Sequence, residues 1–368
     1  PPPRPPPPPP APHPPPPPPP HPPPAPPPRP RPPPPPTAAP APAPPPPARP
    51  PAPPPPPPPR PPPPPPPAPP RRPPPAPRPP PPDWRGGTSP PRWTFDTNSS
   101  TNAGKGYDGQ GNHSLSIADV DADGKDEIVY GAMTVDDNGH GLWTTKLGHG
   151  DAGHVGDLNP ARSGLEYFKV SEDTSKPGSW MADARTGALL WQTASGADNG
   201  RGVSADIHAG SAGAESWSAS DTTLRSPTGA SLGREPSSIN FVNWWDGDTI
   251  RELLDGTRID KYGTSSDTRL LTGASVHSNN GTKATPSLSG DIFGDWREEV
   301  VWPTSNNTAL RIYSTPHETG TKITTLLHDT MYRTALAWQN TAYNQPPHPS
   351  FHIGGGMATA PRPTVYTP

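Results

Sequence analysis

Three observations in residues 83–368 predict an all-β fold, arranged as a β-propeller. Apolar residues come in runs of three to five broken by Gly, Asn, Asp and Thr, with helical periodicity nearly absent. One acidic unit recurs: a small or aliphatic residue, an Asp, a polar Gly-containing turn, a Glu and a short apolar strand. Its anchors Asp119, Asp157, Asp206, Asp246 and Asp291 stand 38 to 49 residues apart, which suits a four-stranded blade. A β-sandwich is the alternative, but it would not need the same acidic turn in each unit. The body supplies five or six units, and a ring must close to protect its edge strands, so an incomplete propeller is expected.

In chain order the first element is not a strand. Residues 1–82 hold 61 of the 76 prolines, with Ala, eight Arg, two His and one Thr, and no apolar residue larger than Ala. Proline removes backbone donors and there is nothing to bury, so a disordered, polyproline-II-like arm is expected. The arm carries +8, and the 286-residue body, with 22 basic and 33 acidic residues, carries −11. An acidic, Trp-containing body argues against a nucleic-acid partner and for cations, or for a ligand held at discrete basic points. With no cysteine there is no disulfide, zinc-thiolate site or thiol nucleophile. No run of 18 apolar residues occurs, so no membrane span is expected. The chain begins with Pro rather than Met or a signal-like segment, and further sequence upstream is expected.

The clearest copy of the acidic unit runs from Ile117-Ala118-Asp119 to Glu127-Ile128-Val129. Its Asp119, Asp121 and Asp123, followed by Gly124 and closed by Glu127, read as an oxygen-ligand calcium turn. It is shorter than a twelve-residue EF-hand loop, and a strand follows it. Calcium in such a turn is a structural brace. The second copy offers Asp157, Asn159 and Glu166, and the last offers Asp291, Asp295 and Glu298. With fewer acids, a hydrogen-bonded turn and an ion are equal alternatives there. The copy from Asp206 to Glu215 has lost its inner acid, and the copy from Asn243 to Glu252 is looser.

Two segments before these turns concentrate polar groups: Gly109-Gln110-Gly111-Asn112-His113-Ser114 and Gly148-His149-Gly150-Asp151-Ala152-Gly153-His154. His149 and Asp151 are two apart and share one side of an extended chain. Glu172, after the strand of the second unit, can join them. A metal centre and two loop-bonded histidines remain alternatives. Imidazole is unusual for a cation as hard as calcium and would also suit manganese. The basic points lie elsewhere: Lys283 on the His277 to Pro286 segment, and Arg201 between two glycines. The segment Trp338 to Pro347 adds amides and aromatics fit for pyranose faces.

No Gly-x-Ser-x-Gly elbow, P-loop or Gly-x-Gly-x-x-Gly fingerprint occurs. Glycoside hydrolysis needs two carboxylates flanking one bond, but most acids here sit at repeat positions. β-Elimination from a uronic acid needs a cation at the carboxylate, a base near C5 and an acid for the leaving oxygen. Lys283, Arg201 and a metal at His149 and Asp151 fit that set better.

Gly111-Asn112-His113-Ser114-Leu115-Ser116, Gly131-Ala132-Met133-Thr134-Val135-Asp136-Asp137-Asn138-Gly139, Leu147-Gly148-His149-Gly150-Asp151 and Gln345-Pro346-Pro347-His348-Pro349-Ser350-Phe351 resemble the family 11 polysaccharide lyases, the rhamnogalacturonan endolyases. The resemblance covers about residues 92–368, in order and nearly without gaps, and leaves out the proline arm. It implies an eight-bladed propeller with several calcium ions, secretion, and endolytic β-elimination of the rhamnose-to-galacturonate backbone bond of pectin. It also implies a cleft calcium on His113, His149, Asp151 and Glu172. The substrate contacts it implies are Arg201, Asn280, Gly281, Thr282, Lys283, Asn340 and Ala342. Lys283 is the expected general base, with His149 second and Arg201 beside them. The protein is expected to act as a monomer on rhamnogalacturonan.

The family carries further blades where the proline arm stands. Pro, Arg, Ala and His are what GC-rich DNA yields in a wrong frame, so the arm is read as a mistranslated stretch, with a genuine wall or linker arm as its rival. Translating the source DNA in the other two frames tests this, and finding no blade-like sequence there would rule it out. Two functional rivals remain: a calcium-stabilised propeller that only binds glycan or protein, and an inactive fragment. Retention of both the His113, His149 and Asp151 cluster and the Asn280 to Lys283 turn favours the enzyme, since a scaffold needs neither.

Overall fold

The computed structural model describes residues 92–98, 104–341 and 343–363; the proline arm and Ala342 lie outside the described residues. Among the described residues the chain forms five antiparallel meander sheets, each built from consecutive strands. The first holds β1 (Ser116–Ala118), β2 (Glu127–Val129), β3 (Met133–Val135) and β4 (Gly141–Thr144). The second holds β5 (Gly153–Gly156), β6 (Glu166–Val170), β7 (Ser179–Asp183) and β8 (Leu189–Gln192). The third holds β9 (Gly202–Ala205), β10 (Glu215–Ser218), β11 (Thr223–Arg225) and β12 (Ser231–Arg234). The fourth holds β13 (Phe241–Asn243), β14 (Glu252–Asp255), β15 (Arg258–Lys261) and β16 (Thr268–Thr272). The fifth has three strands, β17 (Leu288–Gly290), β18 (Glu299–Pro303) and β19 (Leu310–Tyr313). One helix, α1 (Thr330–Trp338), follows.

The recurring acidic unit is the first hairpin of every sheet. In each, the glutamate opens the second strand opposite the last residue of the first: Ala118 with Glu127, Gly156 with Glu166, Ala205 with Glu215, Asn243 with Glu252 and Gly290 with Glu299. The carboxylate then turns back and accepts the amides that leave the first strand. Glu127 Oε2 accepts Val120 N at 2.9 Å, and Glu166 Oε2 accepts Leu158 N and Asn159 N. Glu215 takes Ile207 N and His208 N, Glu252 takes Trp245 N and Asp246 N, and Glu299 takes Ile292 N and Phe293 N. All five glutamates are buried. Amides pointing into a tight turn have no ladder partner, and a hydrogen bond to a carboxyl oxygen contributes about 0.5–1.5 kcal/mol. This requirement explains the repeat whether or not an ion is bound.

Neighbouring sheets pack face to face in chain order. Ala118, Val129 and Trp143 of the first meet Val155, Tyr167 and Trp180 of the second. Val203, Trp217 and Leu224 of the third meet Val242 and Leu253 of the fourth, and Phe241, Leu254 and Ile259 meet Val300 and Trp302 of the fifth. Exposure rises at the outermost strands, where Leu189, Leu310 and Ile312 are open to solvent.

Sequence periodicity gives little warning of α1. Asp329 caps it, accepting Tyr332 N at 2.9 Å, and the helix packs against both β1 and β17. Tyr332 donates to Glu298 at 2.6 Å, and Arg251 lies 3.4 Å from the same carboxylate. Arg251 also stacks 3.7 Å over Trp244 and donates to Pro347 O at 2.6 Å. These buried groups fasten the segment after α1 to the fourth and fifth sheets.

Candidate active site and cation centre

The two loops singled out in the sequence meet across a parallel bridge between Asn112 and Gly150. His113 N donates to Gly150 O at 2.9 Å, and Glu172 N donates to His149 O at 3.3 Å. His113, His149, Asp151 and Glu172 therefore converge, with one ligand atom from each lying within 4.8 Å of the others. His149 Nδ1 is 2.8 Å from Gly111 O. A carbonyl only accepts, so Nδ1 carries a proton, and Nε2 faces Glu172 Oε2 at 3.3 Å. His113 Nε2 lies 3.6 Å from Asp151 Oδ1, and the two imidazoles meet edge to face at 4.7 Å.

Asp151 is the hinge of the site. Its Oδ1 is buried and accepts no hydrogen bond among the described residues. Its Oδ2 pairs with Lys283 Nζ, which also donates to Gly200 O. An orphaned buried carboxylate oxygen is costly, and here it sits among two imidazoles and a second carboxylate. That donor set fits a divalent cation, calcium through the oxygens and manganese through both atom types. Burial and the neighbouring Asp151 raise the Glu172 carboxyl above its ordinary range. Behind the cluster the Lys169 ammonium is buried against Val170 O at 3.0 Å, and burial pushes it down to about 7.

Asp151, Gly200, Arg201, Lys283, Tyr343 and Asn344 line one pocket. Tyr343 lies 4.6 Å from the His113 ring, with Lys283 Nζ 4.9 Å from its centroid, and Tyr343 N donates to His113 O. In the sequence it is only one aromatic of the Trp338 to Pro347 segment; nothing in the spacing places it between the two halves of the site. Asn280 Oδ1 accepts Thr282 N and Lys283 N, so it shapes the turn that delivers Lys283. Gly281 and Thr282 stand exposed on that turn. Asn340 reaches the adjoining segment, donating to Ser287 O and accepting from Asn279. Ala342 lies outside the described residues.

The remaining candidate ligands divide. Asp119, Asp121 and Glu127 form one group, and Asp123, Glu127 and Asp137 a second. Asp137 comes from the next hairpin, and only the short Asp136-Asp137-Asn138-Gly139 turn hinted at it. Gly124, at φ 87°, lets the turn fold back so that its amide reaches Asp119 Oδ2 at 3.0 Å. Asp157, Glu166 and Asp291 join no such group among the described residues. Asp157 Oδ2 accepts His352 N, Glu166 also pairs with Arg162, and Asp291 Oδ2 accepts the Thr325 hydroxyl and Leu326 N. Protein donors occupy Oδ2 of both aspartates, while Asp157 Oδ1 and Asp291 Oδ1 are buried without a hydrogen-bond partner among the described residues.

The all-β body thus brings two imidazoles and two carboxylates together beside a pocket that Asp151 and Lys283 line. The model of rhamnogalacturonan lyase family 11, C-terminal domain, matches residues 81–363. The chain belongs to that family. It is 52% identical over 290 residues to the rhamnogalacturonan endolyase YesW of Bacillus subtilis (strain 168), covering 78% of this chain and 46% of the relative. It is 50% identical over 303 residues to the rhamnogalacturonan exolyase YesX of the same organism, covering 77% and 49%. The crystal structure of YesW superposes with a TM-score of 0.73 at 51% identity, covering 77% of this chain and 48% of that one. A Bacillus licheniformis rhamnogalacturonan lyase superposes at 0.74 and 51% identity, covering 77% and 49%. The chain spans about half the length of the curated relatives it matches.

Proposed function

We propose that this protein is a calcium-dependent rhamnogalacturonan lyase that cleaves the rhamnose-to-galacturonate bond endolytically by β-elimination. The observation that carries the reading is Asp151, which joins the four-ligand group through one oxygen and Lys283 through the other. The body, residues 83–368, is a partial β-propeller, and its face-packed meander sheets support this. We read it as secreted and monomeric.

Calcium, held by His113, His149, Asp151 and Glu172, would neutralise the galacturonate carboxylate and so ease loss of the adjacent C5 proton. Arg201 faces the same pocket and offers a second positive contact to that carboxylate. Lys283 is the base in this reading: its amine, once it has given up a proton, takes the one from C5. The electron pair then forms the C4–C5 double bond, and the C4–O bond breaks as the Lys283 ammonium, now carrying the C5 proton, or a water protonates the leaving oxygen. His149 holds a proton toward Gly111 O and turns Nε2 to Glu172, so we assign it to the ligand group. Asn280 holds the turn that presents Lys283, and the Tyr343 ring forms the wall between Lys283 and His113.

The test is ultraviolet absorbance during incubation with rhamnogalacturonan backbone, with calcium and with a chelator. Elimination creates a conjugated double bond and hydrolysis does not. A calcium-dependent rise, lowered about 10²–10⁴-fold in Lys283→Met, supports the reading. A flat trace with calcium overturns it. The two relatives differ in cleavage mode, and product size decides here: early mid-length fragments mean endolytic cutting, and disaccharide from the outset means the opposite.

A further inference from the structure

Below the pocket, two imidazoles meet in the interior. His154 is the second residue of β5, and His348 lies in the extended segment after Tyr343. Both are buried. His154 Nδ1 is 3.1 Å from His348 Nε2, and His154 Nε2 is 3.0 Å from Gly202 O. The rings stand 5.3 Å apart at 85°. Burial pushes His154 down to about 4 and His348 well below its ordinary value, and the Arg251 guanidinium pushes both the same way. Both rings are therefore neutral near pH 7.

A neutral imidazole has one N–H and one lone pair. Gly202 O only accepts, so His154 Nε2 carries the hydrogen and His154 Nδ1 carries the lone pair. His348 Nε2 must then be the donor between the rings. The polarity of the chain runs from His348 through His154 to Gly202, with no second arrangement that keeps both bonds.

The three linked points all belong to strands or segments that enter the pocket. β5 follows Asp151 and Ala152, Gly202 follows Gly200 and Arg201, and His348 follows Tyr343, Asn344 and Gln345. We propose that His154 and His348 form a directional positioning pair, with both rings in the Nε2–H form, that sets the spacing of Asp151, Arg201 and Tyr343 across the pocket. Arg251 anchors the same segment one residue earlier, at Pro347 O. The effect on turnover rests on the lyase reading; the tautomers and the mechanical link do not.

Nitrogen-15 spectra of histidine-labelled full chain at pH 7 should show both rings neutral with the hydrogen on Nε2. A protonated ring, or His154 with its hydrogen on Nδ1, overturns the assignment. His348→Leu removes the donor, and His348→Gln returns an amide N–H to about the same place. Hydrogen exchange at Gly202, Tyr343, Asn344 and Gln345 should quicken about tenfold in the Leu variant and return in the Gln variant. If the wild type is active, kcat should fall about tenfold in the Leu variant with KM raised, and the Gln variant should recover most of both. A Gln variant as impaired as the Leu variant in exchange overturns the positioning role. A wild type without lyase activity would overturn the function proposed above, leaving spectra and exchange to decide this inference. Should the Leu variant fail to fold, the wild-type spectra and the Gln variant still decide it.

Discussion

The turn from Asp119 to Glu127 and the turn from Asp246 to Glu252 occupy the same place in the first and fourth sheets, yet they neutralise their carboxylates differently. In the first, Lys125 pairs with Asp123 and Asp137 at 2.8 and 3.3 Å. Asp119, Asp121 and Glu127 are left converging without a cation of the chain's own between them. In the fourth, Asp246, Asp248 and Glu252 converge on Lys261 Nζ at 2.7, 2.7 and 2.9 Å. Lys261 comes from β15, two strands along the sheet. The glutamate does the same work in both turns, accepting strand-end amides. The shared unit is thus a hairpin-closing device, and the two turns differ in whether a distant residue supplies a positive charge.

The largest effect expected from breaking this contrast is at Lys261. Lys261→Met strips three converging carboxylates of their cation, one of them fully buried, and should cost about 3–5 kcal/mol in chelator. Added calcium should recover more stability in the variant than in the wild type, as read by thermal melts. Equal melts of both proteins in chelator would show that Lys261 is not the neutralising charge.

A middle-sized effect is expected from pH. Burial raises the Glu127 carboxyl to about 7, against about 4.3 in an unfolded chain. The folded state therefore binds more protons between those values. Its stabilisation is complete below about pH 4 and is lost as pH rises through 7. In chelator, melts from pH 5 to 8.5 should fall, and Glu127→Gln should flatten part of that slope. Calcium, which favours the ionised form, should flatten it in the wild type. A slope unchanged by both would separate Glu127 from any cation. The smallest effect belongs to Lys125→Met: an exposed ion pair contributes about 0–1 kcal/mol, so the melting curve should scarcely move, and a large shift would place Lys125 inside the turn's charge balance.

The fold was legible in proportion to how local its cause is. The Asp-to-Glu turns could be read because one side chain closes a hairpin within about ten residues, and each copy marks the start of a sheet. The segments holding His113, His149 and Asp151 stood out by residue type, with Glu172 as a candidate partner, but the four-residue ligand set came from the family resemblance and not from spacing. What stayed hidden depends on distance along the chain. Lys261 reaches back to Asp246, Asp137 reaches Asp123 from another hairpin, and His348 meets His154 across 194 residues. No periodicity records such meetings. α1 was hidden for another reason: its nine residues Thr330–Trp338 include β-branched and aromatic residues that dilute helical preference, and burial of Met331, Tyr332 and Ala335 decides the matter.

The position of α1 has a thermodynamic meaning beyond its part in the core. A row of sheets in which each touches its neighbours alone behaves as a one-dimensional array, able to fray from either end. By touching β1 and β17 together, the helix makes the two terminal members neighbours as well. Loosening the first sheet should then be felt by the fifth through the helix as well as through the three sheets between.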